Sequence, residues 1–143
     1  MITLVLDASV AAKWFLPAAN EPLSDEAFAL LKRYTDGQIR FLVPDLFWAE
    51  FGNVLWKAVR QERCIQSSAE LAITGLQERA LPTIPSSQLL PEAYKLAVLY
   101  NRTVYDSLYV VAALVSKAQF VTADERLANA LAAHLPVKWL GSL

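Results

Sequence analysis

Four carboxylates stand in this sequence at positions where a solvated surface charge does not belong. Asp7 closes the apolar run ITLVL (2–6). Glu50 lies inside DLFWAEFGNVLW (45–56), among Leu46, Phe47, Trp48, Phe51, Val54, Leu55 and Trp56. A helix puts Leu46, Glu50 and Val54 on one face, so the charge sits among apolar neighbours. Asp106 opens VYDSLYVVAALVSK (104–117), beside Tyr105, Leu108 and Tyr109, and Asp124 follows QFVTA (119–123). An unpaired ionised carboxylate in an apolar site costs several kcal/mol or takes up a proton. Four together also repel one another. A divalent cation removes both conflicts, and an all-oxygen donor set selects Mg²⁺ or Mn²⁺ over zinc. Such an ion acidifies its bound water and neutralises an anionic transition state, which is what phosphoryl transfer needs. The single histidine, His134, falls late in the last helix and is a poor general base.

Each acid also has a plainer reading. Asp7, Asp106 and Asp124 are placed to cap or charge a helix N-terminus. Glu50 could enter a buried ion pair with Lys57 or Lys13. Ser9 could bond a carboxylate or a phosphate oxygen, or simply cap a helix, and Thr122 has the same options. Among cations, Lys13, two turns beyond Asp7, and Arg102, just before the Asp106 helix, are placed to meet a polyanion. Lys57, Arg60 and Arg63 share the far end of the Glu50 helix.

The elements that must position these groups alternate between strand and helix. ITLVL is a strand buried on both faces. Residues 8–15 form a short helix stopped by Pro17. Ser24 or Asp25 caps a helix to about Asp36, ended by Gly37. RFLV (40–43) is a strand, and Asp45 caps the Glu50 helix, which runs to about Gln61. Ser67 or Ser68 caps the next helix, with Glu70 set for a capping box. LPTIPS (81–86) is a weak edge strand, and Pro91 starts a helix to about Asn101. Then come helix 104–117, strand 119–123, helix 124–134 and strand 137–140. This alternation predicts an α/β fold of one domain, residues 1–143, with a central parallel sheet flanked by helices. Asp7 and Asp124 then fall at the carboxyl ends of strands, where open parallel sheets bind ligands.

Composition narrows the field. A net charge of −1 and a pI near 5.8 provide no global field for nucleic acid, so any polyanion must meet a local patch. One cysteine, Cys64, excludes an internal disulfide and a cysteine-based zinc site, and suits a reducing cytoplasm. MITLVLDAS has no basic leader, and SLYVVAALV is far shorter than the roughly 20 residues of a membrane span. The hydrophobic fraction of 55% and mean hydropathy of +0.31 point to buried subunit contacts. Trp48, Phe51, Leu55 and Trp56, with Trp14 and Phe15, exceed one buried stripe, so part of the Glu50 helix is expected to bind another chain.

Four segments, in order and nearly spanning the chain, resemble the PIN-domain nucleases, most closely the VapC-type toxins of toxin–antitoxin pairs. These are VLDASV, PDLFWAEFGNVLWKA, TVYDSLYVVAAL and FVTADERLANAL. The resemblance assigns Asp7, Glu50, Asp106 and Asp124 to an acidic metal pocket, with Ser9 and Thr122 in support. It implies a three-layer α/β/α domain, a Mg²⁺ cofactor replaceable by Mn²⁺, and endonucleolytic cleavage of RNA leaving a 5′-phosphate and 3′-hydroxyl. It also implies a homodimer and an antitoxin partner. Glu125, adjacent to Asp124, could share its role.

Other phosphoryl enzymes on such sheets fit less well. A haloacid dehalogenase-like phosphatase wants an aspartate where Ser9 stands, and a receiver domain wants an acidic pair near the first strand. A catalytically silent PIN-like interaction module, its acids only capping helices, is the alternative of a different class.

Overall fold

The computed structural model describes residues 1–143. The first strand, β1 (Ile2–Leu6), is the centre of the molecule. Val5 and Leu6 are fully buried there, as an apolar run covered on both faces must be. The chain then forms α1 (Ala8–Ala11), which tightens into a 3₁₀ turn over Ala12–Trp14. Next come α2 (Ser24–Thr35), β2 (Ile39–Pro44), α3 (Leu46–Arg60), α4 (Gln66–Glu78) and β3 (Thr83–Ile84). They are followed by α5 (Ser86–Tyr100), α6 (Val104–Val115), β4 (Gln119–Thr122), α7 (Glu125–Leu131) and β5 (Val137–Trp139).

The five strands are parallel, in the order β3-β2-β1-β4-β5. Leu4 pairs with Phe41 on one side of β1 and with Gln119 on the other. The chain first builds outward from β1 to β3, then returns to place β4 on the opposite side. The strand order therefore reverses between β1 and β4, the kind of switch point at which open parallel sheets bind ligands. With helices on both faces this is the three-layer α/β/α fold expected from the alternation. No helix is long and apolar enough to cross a membrane.

Helix α3 buries Phe47, Phe51, Leu55 and Ala58 on one stripe. The core absorbs most of the rings predicted to be in surplus. Phe51 lies 5.8 Å from Phe15 and 6.0 Å from Phe47, and Trp14 lies 5.6 Å from Phe41. Trp48 is half-buried and donates its indole N–H to Thr83 Oγ1 at 3.2 Å. Only Trp56 on this helix stays outside, 54% exposed with Arg60 over its face. The larger uncovered apolar area is elsewhere, on α5 and α6, where Tyr94, Val98, Leu99, Leu114 and Val115 are exposed.

Several predicted helix starts differ. Helix α5 begins at Ser86, and Pro91 sits inside it rather than at its head. A proline so near the start forfeits a single helical hydrogen bond, and burial of Leu89 anchors that first stretch to the core. Asp45 does not cap α3; its carboxylate accepts a hydrogen bond from Ser86 Oγ, tying α3 to α5 instead. Helix α4 begins at Gln66, before both predicted serine caps, and Glu70 accepts from the Gln66 side chain rather than closing a box. Ser24 is the first residue of α2, preceded by Leu23 in the left-handed conformation at φ 60°.

Candidate active site

Strand β1 delivers Asp7 in extended conformation to the start of α1. One carboxylate oxygen accepts the Ser9 N–H at 3.3 Å. The other accepts the Thr122 hydroxyl at 2.7 Å. Thr122 is fully buried at the end of β4, the neighbouring strand, so this bond crosses the point where strand order reverses. Its hydroxyl oxygen in turn accepts the Asp124 N–H at 3.0 Å. Asp124 caps α7 by accepting the Leu127 N–H at 3.1 Å, and Ser9 Oγ accepts the Ala123 N–H at 3.3 Å. The capping roles expected of Asp7 and Asp124 are thus present, and the bonds made by Thr122 and Ser9 link Asp7, Ser9, Thr122 and Asp124 into one hydrogen-bonded chain.

Glu50 and Asp106 come from the helical layer. Glu50 is half-buried on α3 and accepts the Tyr109 hydroxyl at 2.6 Å. Asp106 is half-buried in the first turn of α6, its N–H capped by Thr103 Oγ1 at 3.0 Å. Neither predicted lysine partner reaches Glu50, and none of the four acids enters an ion pair. Lys13 is buried at 5% exposure. Its ammonium is held by Glu21 Oε2 at 3.1 Å and by the Pro22 carbonyl at 2.7 Å. It is therefore no free cation for a polyanion, and that expectation is corrected. Its stem and charge are consumed in pinning the segment after α1, together with Arg63, which meets Glu21 from the other side at 3.3 Å. Arg102 is half-buried, and its charge acts on Asp106. Glu125 and His134 are exposed.

The electrostatics run in a line. Burial pushes the Asp7 carboxyl up from 3.8 to about 6, against the hydrogen bonds from Thr122 and Ser9, and the Glu50 charge raises it further. Burial raises Glu50 as well, against the Tyr109 bond, and Asp106 adds to the rise. Asp106 is raised by burial and, in smaller part, by Asp124, while Thr103 and Arg102 oppose the shift. Each acid thus feels the next, from Asp7 through Glu50 and Asp106 to Asp124. No three of them converge closely enough to hold one ion as they stand. The donor set nevertheless fits a hard divalent cation: it is all oxygen, free of ion pairs, and at Asp7, Glu50 and Asp106 destabilised in its ionised form.

The residue that sequence reasoning passed over is Tyr109. It counted there as an apolar neighbour of Asp106. Its position three residues further on the same helix face was the signal available.

The family profile of the PIN domain matches residues 4–131. The chain belongs to the PIN domain family. The matched span of this PIN domain holds all four acids, Ser9, Thr122 and Tyr109, and leaves β5 outside. In sequence it is similar to ribonuclease VapC3 of Pyrobaculum aerophilum, 29% identical over 128 residues that cover 88% of this chain and 92% of that protein. In fold it is similar to the crystal structure of PAE2754, also from Pyrobaculum aerophilum. That pair has a TM-score of 0.70 and 20% identity, covering 99% and 91% of the two chains. It is similar too to a chain of a toxin–antitoxin complex from Klebsiella pneumoniae, with a TM-score of 0.61, 15% identity and coverage of 94% and 95%.

Proposed function

We propose that this PIN domain is a Mg²⁺- or Mn²⁺-dependent endoribonuclease and the toxin of a toxin–antitoxin pair. The observation that carries this reading is the line of electrostatically coupled, ion-pair-free acids beside the carboxyl ends of β1 and β4. The name of the VapC3 relative supports ribonuclease action, and the Klebsiella complex supports an antitoxin partner.

Asp7, Glu50, Asp106 and Asp124 would hold the cation, some of them through water, since Mg²⁺ keeps several waters. When bound, the cation supplies an acidified water and charge neutralisation at phosphorus. Thr122 and Ser9 hold Asp7 in one orientation from two sides. Asp124 is exposed and Asp106 half-exposed, so the mouth of the site is open to a chain as bulky as RNA. Arg102 is the cation placed to meet a phosphate there. The exposed apolar face of α5 and α6 lines a groove of about 480 Å³ and suits the homodimer contact better than α3 does. The silent-module reading draws on the caps that Asp7 and Asp124 make.

The test is incubation of the purified protein, free of antitoxin, with a structured RNA pool in Mg²⁺, Mn²⁺ or EDTA, beside Asp7→Asn. Cleavage that needs metal, leaves 5′-phosphate ends and is lost in folded Asp7→Asn supports the nuclease. No cleavage, with no Mn²⁺-dependent rise in melting temperature, supports the silent module, because asparagine caps as well as aspartate.

A further inference from the structure

Tyr109 is buried to 2% exposure on the Asp106 helix and meets the Glu50 helix, the Asp7 turn and the strand that leads to Asp124. Its hydroxyl donates to Glu50 Oε1 on α3. It lies close enough to Asp7 and the Ala8 backbone for both to act on the phenol. Its ring stacks on Phe120 of β4, centroids 5.0 Å apart and planes 15° off parallel. Two residues along that strand, on the same face, Thr122 donates to Asp7. On its own helix Tyr109 stands one turn beyond Asp106.

A phenylalanine would fill this core position with the same ring. The hydroxyl is a buried polar group that needs a partner, and Glu50 supplies it. The bond also solves a problem specific to a cation site. A lysine or arginine would orient Glu50 but cancel the charge that attracts the metal. A tyrosine hydroxyl donates a hydrogen bond as a neutral group. It therefore orients Glu50 by donating a proton and leaves the negative charge in place.

We infer that Tyr109 is the positioning residue of the acidic site: its hydroxyl sets the direction of the Glu50 carboxylate, and its stacked ring ties that direction to β4. The inference rests on the metal-nuclease reading above. Tyr109→Phe tests it, because the ring and its stacking remain. Mn²⁺ binding to the free protein, read by electron paramagnetic resonance, and steady-state RNA cleavage are measured together. The expected result is a folded variant whose Mn²⁺ Kd rises about tenfold and whose kcat falls about tenfold, with KM for RNA unchanged. Tyr109→Phe combined with Glu50→Gln should bind Mn²⁺ no more weakly than Glu50→Gln alone, because the tyrosine acts through the glutamate. Tyr34→Phe, on α2 with its ring stacked on Phe41, should match wild type. If Tyr109→Phe does not fold, Phe120→Leu keeps the hydroxyl while removing the stack, and should weaken Mn²⁺ binding about threefold. Wild-type Mn²⁺ affinity and kcat in Tyr109→Phe, or losses that add fully to those of Glu50→Gln, overturn the positioning role. Wild-type protein that neither binds Mn²⁺ nor cleaves RNA sinks the nuclease reading and this inference with it.

Discussion

Replacing Asp7 by asparagine should stabilise the metal-free protein while destroying its response to metal. In the folded chain the Asp7 carboxyl titrates at about 6, against 3.8 for an unperturbed group. At about 1.4 kcal/mol per pKa unit, holding it ionised near neutral pH costs folding about 3 kcal/mol. Asp7 retains some solvent contact, which roughly halves that penalty. Asparagine keeps the bond from Ser9 but leaves the buried Thr122 hydroxyl without its acceptor, a loss of about 1 kcal/mol. The net gain is about 0.5 kcal/mol, or roughly 1–2 °C in Tm for a chain of this size. The pH dependence has a definite sign. The folded-state pKa is raised, so the stabilising effect of protonation is complete below 3.8 and lost as pH rises through about 6. The variant's advantage should therefore be greatest near neutrality and disappear by about pH 4. Differential scanning calorimetry in EDTA across that range checks this, and a repeat with Mn²⁺ should raise the melting temperature of wild type alone. If Asp7→Asn is less stable than wild type by the same margin at both ends of the range, the buried charge is comfortable as it stands and the electrostatic reasoning is wrong.

Glu50→Gln should keep the bond from Tyr109 and the fold, with a melting temperature within a few degrees of wild type, yet lose RNA cleavage by at least about a hundredfold. Phe51→Ala should cost about 3–5 kcal/mol in urea unfolding, since Phe51 is 1% exposed between Phe15 and Phe47. Arg102→Gln should raise KM for RNA several-fold and flatten its salt dependence, with kcat little changed. Val98→Lys with Leu99→Lys, both on the exposed α5 face, should leave circular dichroism unaltered and convert a dimer to a monomer by light scattering.

Much of the site was readable because its supports are local. ITLVL is a continuous β-branched and leucine run, which reads as a strand with Asp7 at its end. The same logic placed Asp124 after QFVT and at the head of a helix. Glu50 was conspicuous because the helix around it is apolar. Helix starts were less readable. Ser67, Ser68 and Pro91 are good starting residues, but α4 and α5 begin earlier. In α5 the burial of Leu89 outweighs what one hydrogen bond or cap contributes.

Two residues show why the remainder was hidden. Lys13 looks, by spacing, like a cation near the acids. Its actual partner, Glu21, lies across a turn whose path no periodicity signals. Tyr109 looks like one more apolar residue on an apolar helix. Its meaning comes from Glu50, 59 positions away.

By itself the sequence determined the alternation of strands and helices, the parallel sheet, and which acids stand at strand ends or in apolar surroundings. Those properties follow from side-chain periodicity and from the cost of burying charge, both written in neighbouring residues. Only the tertiary structure decided which acids feel one another, which cation is already spent, and which apolar face is left open. Those are matters of distance between segments remote in the chain, set by how the helices pack on the sheet.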